Sequence, residues 1–285
     1  MAGGRPSLRQ CIGIWTVVSL LVGVVAVLGC RTAPLTGRKQ LLLIPEPQEL
    51  TLGAQAFQET TAESPPSTHA PWVEMVQRVG HRIAVVANRP DYNWEFRLVA
   101  SPQQNAFALP GGKVVIYEGI LPLCVNEAGL AVVMSHEIAH ALARHGGERM
   151  SQGYVVNGVG TLIRYATQDR EQVTRDRLLQ AYGMASKYGY ILPYSRRHEA
   201  EADQIGLMLM ARAGYDPREA PRFWERFAAA QQGPGVPEFF STHPSDERRA
   251  AELQALLAEA LPLYEAAPEK SGLGAPLIVP AANPP

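Results

Sequence analysis

Two histidines four positions apart, with a glutamate beside the first, constrain this chain more than any other feature: His136-Glu137-Ile138-Ala139-His140. On an α-helix, positions four apart lie about 40° apart around the axis, so both imidazoles leave from one face. Such a pair can hold two corners of a tetrahedral zinc, and the carboxylate between them can act on a water at the metal. The flanks, Glu127 to Met134 and Ala141 to His145, are mostly apolar, contain no proline and favour a helix. A segment apolar on nearly all sides reads as buried. Burying unpartnered histidines is costly, which disfavours the alternative of simply solvated side chains.

A second motif supplies a carboxylate. In Glu199-Ala200-Glu201-Ala202-Asp203, Glu199 and Asp203 share a helical face, while Glu201 points roughly the other way. A catalytic zinc keeps one open position and takes three protein ligands. Glu199 is therefore assigned as the third ligand, with Glu201 as its rival. Asp203 is expected to accept a hydrogen bond from the outer N–H of a ligand imidazole, that of His136. The apolar Ile205 to Met210 continues the same helix into the core.

Four motifs occur in order: Asn105-Ala106-Phe107-Ala108-Leu109-Pro110-Gly111-Gly112, the His136–His140 pentapeptide, Pro193-Tyr194-Ser195-Arg196 with the 199–203 carboxylates, and Ser241-Thr242-His243-Pro244. Together they resemble the zinc metalloprotease family of HtpX and the CAAX prenyl protease. The similarity spans about residues 34 to 260 and is greatest to the family's periplasmic lipoprotein branch, BepA- and LoiP-like, and to its mitochondrial inner-membrane protease. The resemblance implies an α+β, mainly helical fold: a gluzincin-type domain whose small sheet lines the cleft. It makes 113–117 the edge strand beside the metal, with Asn105, Gly112 and Val114 as substrate-binding positions. An edge strand can pair with an extended peptide. The resemblance also brings His243 near the metal, to bond the oxyanion or to fill the open zinc position in a resting state.

The N-terminus reads as an address. Arg5 and Arg9 precede an apolar run from Ile12 to Leu28, and Val27-Leu28-Gly29-Cys30 resembles a lipobox. Residues 1–29 are thus expected to be a lipoprotein signal and Cys30 the lipidated residue. An uncleaved anchor is the alternative, because the run is nearly long enough to span a bilayer. Arg31 favours sorting to a bacterial outer membrane, facing the periplasm, where outer-membrane assembly machinery is an expected partner. Cys124, the last cysteine, cannot form an internal disulfide and reads as a buried small hydrophobe.

The rest of the chain divides simply. A short lead covers 31–45 and the protease domain 46–265, while an Ala/Pro-rich tail, 266–285, is expected to be disordered. Helices are expected over 46–61, 71–88, 217–231 and 244–265, and strands over 94–99 and 113–117. Residues 150–190, part apolar and part highly charged, read as a helical lid or membrane-facing flap.

With 26 basic and 27 acidic residues the net charge is −1, which suggests no polyanion partner. Aromatic residues are too sparse for a base-stacking groove, so nucleic acid is excluded. The expected activity is a zinc-dependent endopeptidase acting on misfolded or unassembled cell-envelope proteins. Zinc lowers the pKa of a bound water towards about 7, and Glu137 takes the proton and later passes it to the leaving amine. A chaperone or assembly factor with latent protease activity is the alternative from another class, and a closed structural zinc site a third.

Overall fold

The computed structural model describes residues 29–33, 35–187, 191–230, 239, 243, 248–272 and 277. The apolar run Ile12–Leu28, Cys11, the neighbours of His243 from Ser241 to Pro244, and most of the tail lie outside the described residues. The architecture is mainly helical with small sheets. A short antiparallel hairpin, β1 (Cys30–Thr32) and β2 (Lys39–Leu41), leads into α1 (Glu46–Glu63) and α2 (Ala70–Ala87). Three strands follow, β3 (Glu95–Val99), β4 (Ala106–Leu109) and β5 (Lys113–Tyr117), then a short helix α3 (Leu121–Cys124). The remaining helices are α4 (Glu127–Leu142), α5 (His145–Ala166), α6 (Gln172–Ser186), α7 (Leu192–Arg212), α8 (Glu219–Ala230) and α9 (Arg248–Ala266).

The α4 helix runs through the core. Asn126 caps its N-terminus by accepting from the Gly129 N–H at 2.8 Å, and every residue from Ala128 to Leu142 is buried. Val76, Val79 and Ile83 of α2 are fully buried in the same core, as the helical apolar period requires. Crossing α4 closely is α7, made possible by Gly206: a Cβ there would lie 3.0 Å from the backbone nitrogen of His136. Glycine at this crossing sets the carboxylates of α7 against the histidines of α4.

The sheet order corrects one expectation. β5 pairs in parallel with β3 and antiparallel with β4, so β5 is central and β4 is the outer strand nearest α4. Alternation along 113–117 identifies a strand, but pairing order depends on distant segments. The turn between β4 and β5 uses Gly111 and Gly112 at φ +87° and +85°. A Cβ on Gly112 would meet the Trp94 ring at 2.8 Å, so no other residue fits without rearrangement.

Of residues 150–190, those up to Ser186 form the α5–α6 hairpin, tied by the Tyr182 hydroxyl donating to the Val156 carbonyl at 3.0 Å. Its apolar side chains Tyr154, Leu162, Tyr165 and Leu178 are exposed. Among the described residues, no helix is long and apolar enough to cross a membrane. Part of the expected disordered tail is instead pinned. The Ser271 N–H donates to the Gly214 carbonyl at 2.9 Å, and the Leu277 N–H to that of Val125 at 2.7 Å. Backbone hydrogen bonds of this kind do not register in an Ala/Pro-rich composition.

Candidate metal centre

Nitrogens and carboxylate oxygens of His136, His140, Glu199 and His243, all buried, lie within 4.8 Å of one another. His136 Nε2 is 3.0 Å from His140 Nε2, 3.3 Å from Glu199 Oε2 and 3.2 Å from His243 Nδ1. His140 Nε2 is 3.4 Å from Glu199 Oε1, and His243 Nδ1 is 3.0 Å from Glu199 Oε2. Four donors around one zinc at 2.0–2.1 Å would be separated by about 3.3 Å. The donor set therefore fits zinc, three of the ligands being the expected residues and the fourth vertex falling to His243.

His243 is placed from both sides. Its N–H donates to the Phe239 carbonyl at 2.8 Å, and its ring stacks on that of Phe239 at 4.2 Å between centroids. Phe239 is anchored in turn by its N–H donating to the Gln104 carbonyl at 3.1 Å, just before β4.

Glu137 stands next to this cluster. Burial raises its carboxyl above the ordinary carboxylate range, opposed by the charges of His243 and His136 and by the Ala108 backbone N–H of β4. Its Oε1 has no hydrogen-bond partner and lies 3.3 Å from His243 Nε2. A buried acceptor left open beside a metal-ligand cluster suits an entering water. Glu199 is the reverse case. Burial alone would raise it, but the charge of His140 and hydrogen bonds from His136 and His243 hold it well below its usual range. A carboxylate ionised in the interior calls for a cation, which two neutral imidazoles and a divalent ion satisfy together.

Each ligand histidine is oriented by a different support. Asp203 Oδ1 lies 3.0 Å from His136 Nδ1, the contact that the sequence assigned to it. Asp203 also accepts from Arg249 of α9 at 2.9 Å, and the guanidinium lies 3.5 Å over the Trp224 ring. His140 Nδ1 instead meets His145 Nδ1 at 2.8 Å, and His145 Nε2 reaches Glu201 Oε2 at 3.0 Å. Burial pushes His145 down to about 4, against the hydrogen bond to Glu201, so the ring is neutral at ordinary pH.

Sequence spacing assigns no role to His145 or His198, yet both are buried and their rings stack at 4.2 Å. It also treats Glu201 only as a rival ligand. Glu201 faces Arg38, Thr36 and His145, away from the donor cluster. Arg249 escaped notice in a charged run; its spacing after His243 was the available signal.

The substrate-binding expectation needs correction. Val114 is fully buried in the central strand, and Gly112 is a buried turn residue, so neither faces a substrate. The reason is the strand order: β4, not β5, borders the cleft. A cleft of about 160 Å³ is lined by Phe107, Ala108 and Pro110 from the β4 side, by Glu137 and His140, and by His243. Asn105 opens β4, where its side-chain oxygen accepts from the Ala106 N–H at 2.9 Å. Cys124 is buried, and burial pushes its thiol up, as expected of a packing residue.

Residues 73–257 match the family model described as peptidase family M48. The chain is 38% identical over 233 residues to the mitochondrial metalloendopeptidase OMA1 of Schizosaccharomyces pombe, which covers 80% of this chain and 66% of that protein. It is 32% identical over 249 residues to the mitochondrial metalloendopeptidase OMA1 of Homo sapiens, across 82% of this chain and 47% of that protein. With the β-barrel assembly-enhancing protease of Escherichia coli it shares 28% identity over 209 residues, across 72% and 43% of the two chains. The chain thus spans from under half to two thirds of the length of these relatives.

These matches overturn the expected bacterial outer-membrane address, because the relatives at 38% and 32% identity are mitochondrial by name. The lipobox-like residues had suggested that address, and a short apolar run with a terminal cysteine is weak information about a compartment. Cys30 itself is an exposed free cysteine opening β1, opposite Leu41 in the hairpin ladder.

Proposed function

We propose, from the premise that this chain belongs to peptidase family M48 and is a zinc metalloendopeptidase, that it takes misfolded or unassembled proteins in extended form along β4 and cuts them at the metal centre. His136, His140 and Glu199 would hold the ion. When bound, zinc supplies Lewis-acid polarisation of the scissile carbonyl and a water acidified towards neutral pH. Glu137 accepts the proton from the attacking water at its open Oε1 and delivers it to the leaving amine. The outer strand β4 offers backbone groups for an added peptide strand, which selects for unfolded segments rather than for a sequence.

One observation carries this reading: the Glu137 carboxyl takes a backbone hydrogen bond from Ala108 of the outer strand, while its Oε1 makes no hydrogen bond and lies 3.3 Å from His243 of the donor cluster. The printed name of the Escherichia coli relative, β-barrel assembly-enhancing protease, is in keeping with a client still to be assembled. Cleavage of an unfolded protein by purified zinc-loaded enzyme tests it. Glu137→Gln should keep zinc and lose about 10²–10⁴-fold in rate. Retention of the original rate would remove Glu137 from the mechanism.

His243 favours a second state of the same enzyme. Its Nδ1 stands within ligand distance of the other donors, on the vertex that a catalytic zinc leaves open. A latent protease that binds clients and cuts seldom would follow. Under that reading His243→Ala raises cleavage of an unfolded substrate, whereas a fall in rate makes His243 a contributor to the reaction.

A further inference from the structure

The hairpin β1–β2 precedes the residues matched by the family model, yet it reaches the metal centre. Arg38, immediately before β2, enters between two carboxylates. Its Nε donates to Glu201 at 2.5 Å, and its terminal nitrogens donate to Glu148 at 3.1 and 2.7 Å. Thr36 also donates to Glu201. The segment is fixed along α5 as well, with the Leu43 N–H donating to Ser151 at 2.9 Å, while Leu42 and Ile44 are buried.

Glu201 in turn is the end of a relay. With Nε2 of His140 turned to the donor cluster, its Nδ1 carries the proton and donates to His145 Nδ1 at 2.8 Å. That leaves the proton of His145 on Nε2, donating to Glu201 at 3.0 Å. Each link has one workable direction, so the tautomer and ring angle of His140 depend on where the Glu201 carboxylate is held.

We propose that the N-terminal segment is a positioning element of the zinc site: Arg38 fixes Glu201, and through His145 it sets the orientation and basicity of the ligand His140. This rests on the metalloprotease reading. A histidine interposed between carboxylate and ligand lengthens the support, which makes it dependent on a segment about 100 residues earlier in the chain. Displacing that segment would loosen the metal without touching a ligand.

The test uses the full chain and measures zinc competition against a chromogenic chelator, together with the visible spectrum of the cobalt(II)-substituted protein. Glu201→Gln and Arg38→Ala should each weaken zinc about 10–100-fold and shift the cobalt bands. Arg38→Lys should recover part of the loss, and Arg78→Ala, which removes an exposed ion pair elsewhere, should change neither signal. If wild type binds zinc and both relay variants retain its affinity and spectrum, the proposal is overturned and the metalloprotease reading stands. If wild type itself binds no zinc, both are overturned. Should Arg38→Ala not fold, the isosteric Glu201→Gln decides by the same two readouts.

Discussion

The two flanks of the metal centre solve one problem in different ways. On the C-terminal side, α7 supplies both Glu199 of the donor cluster and, one turn on, Asp203, which meets His136 directly at 3.0 Å. Arg249 pairs with that aspartate under the Trp224 ring, and its side chain is only 6% exposed. On the N-terminal side, the outer nitrogen of His140, Nδ1, reaches a carboxylate through His145, and the arginine that holds that carboxylate is 20% exposed. The first support is short and dry; the second is longer, wetter and recruited from a remote segment. A buried ion pair is hard to break because its survivor is left uncompensated, whereas a pair near water loses less.

The largest effect should come from the dry flank. Asp203→Ala leaves the Arg249 guanidinium buried, with Glu199 at 3.2 Å as its remaining ion-pair partner among the described residues. A loss of about 3–5 kcal/mol in urea unfolding is expected. A loss as small as that of Arg38→Ala would abolish the distinction between the flanks.

Acid should weaken the wetter flank, as it should the depressed carboxylates Asp203 and Glu199 of the dry one. For Glu201, burial raises the carboxyl, but hydrogen bonds from His145, Thr36 and Arg38 outweigh this and lower it from 4.5 to about 2. Glu148 is likewise lowered to about 2, by His198 and Arg38 against burial. A carboxylate with a depressed folded-state pKa stabilises above its unfolded value and loses that stability as pH falls through the folded one. Stability should therefore decline between about pH 4.5 and 2. Glu201→Gln should flatten part of this decline in thermal unfolding, and an unchanged slope would mean that Glu201 carries none of it.

The smallest effect belongs to Arg78, whose exposed side chain pairs with Glu127 at 2.9 Å at the start of α4. Arg78→Ala should cost about 1 kcal/mol or less, with zinc affinity unchanged. A larger loss would show that charge pairs far from the metal matter as much as those beside it.

Much of this site is written in local spacing. Positions four apart on a helix share a face whatever surrounds them, so His136 with His140, and Glu199 with Asp203, follow from the period alone. The apolar flanks of α4 foretell its burial, and the paired glycines at 111–112 foretell the turn. His145 could not be found in this way. On an unbroken helix it would sit about 140° around the axis from His140. The chain leaves the helix at Arg144, in the left-handed region at φ 56°, and this bend brings the His145 ring back to His140.

Sequence by itself singled out His136 and His140 as a candidate metal pair with Glu137 beside them, and put Glu199 and Asp203 on one face of a second helix, because one helix's geometry fixes which side chains leave together. Only the tertiary structure decided that β4 borders the cleft, that His243 completes the donor set, and that Arg38 and Arg249 close the two flanks. Those assignments depend on strand order, a backbone reversal and contacts between segments up to 165 residues apart, and no local period carries that information.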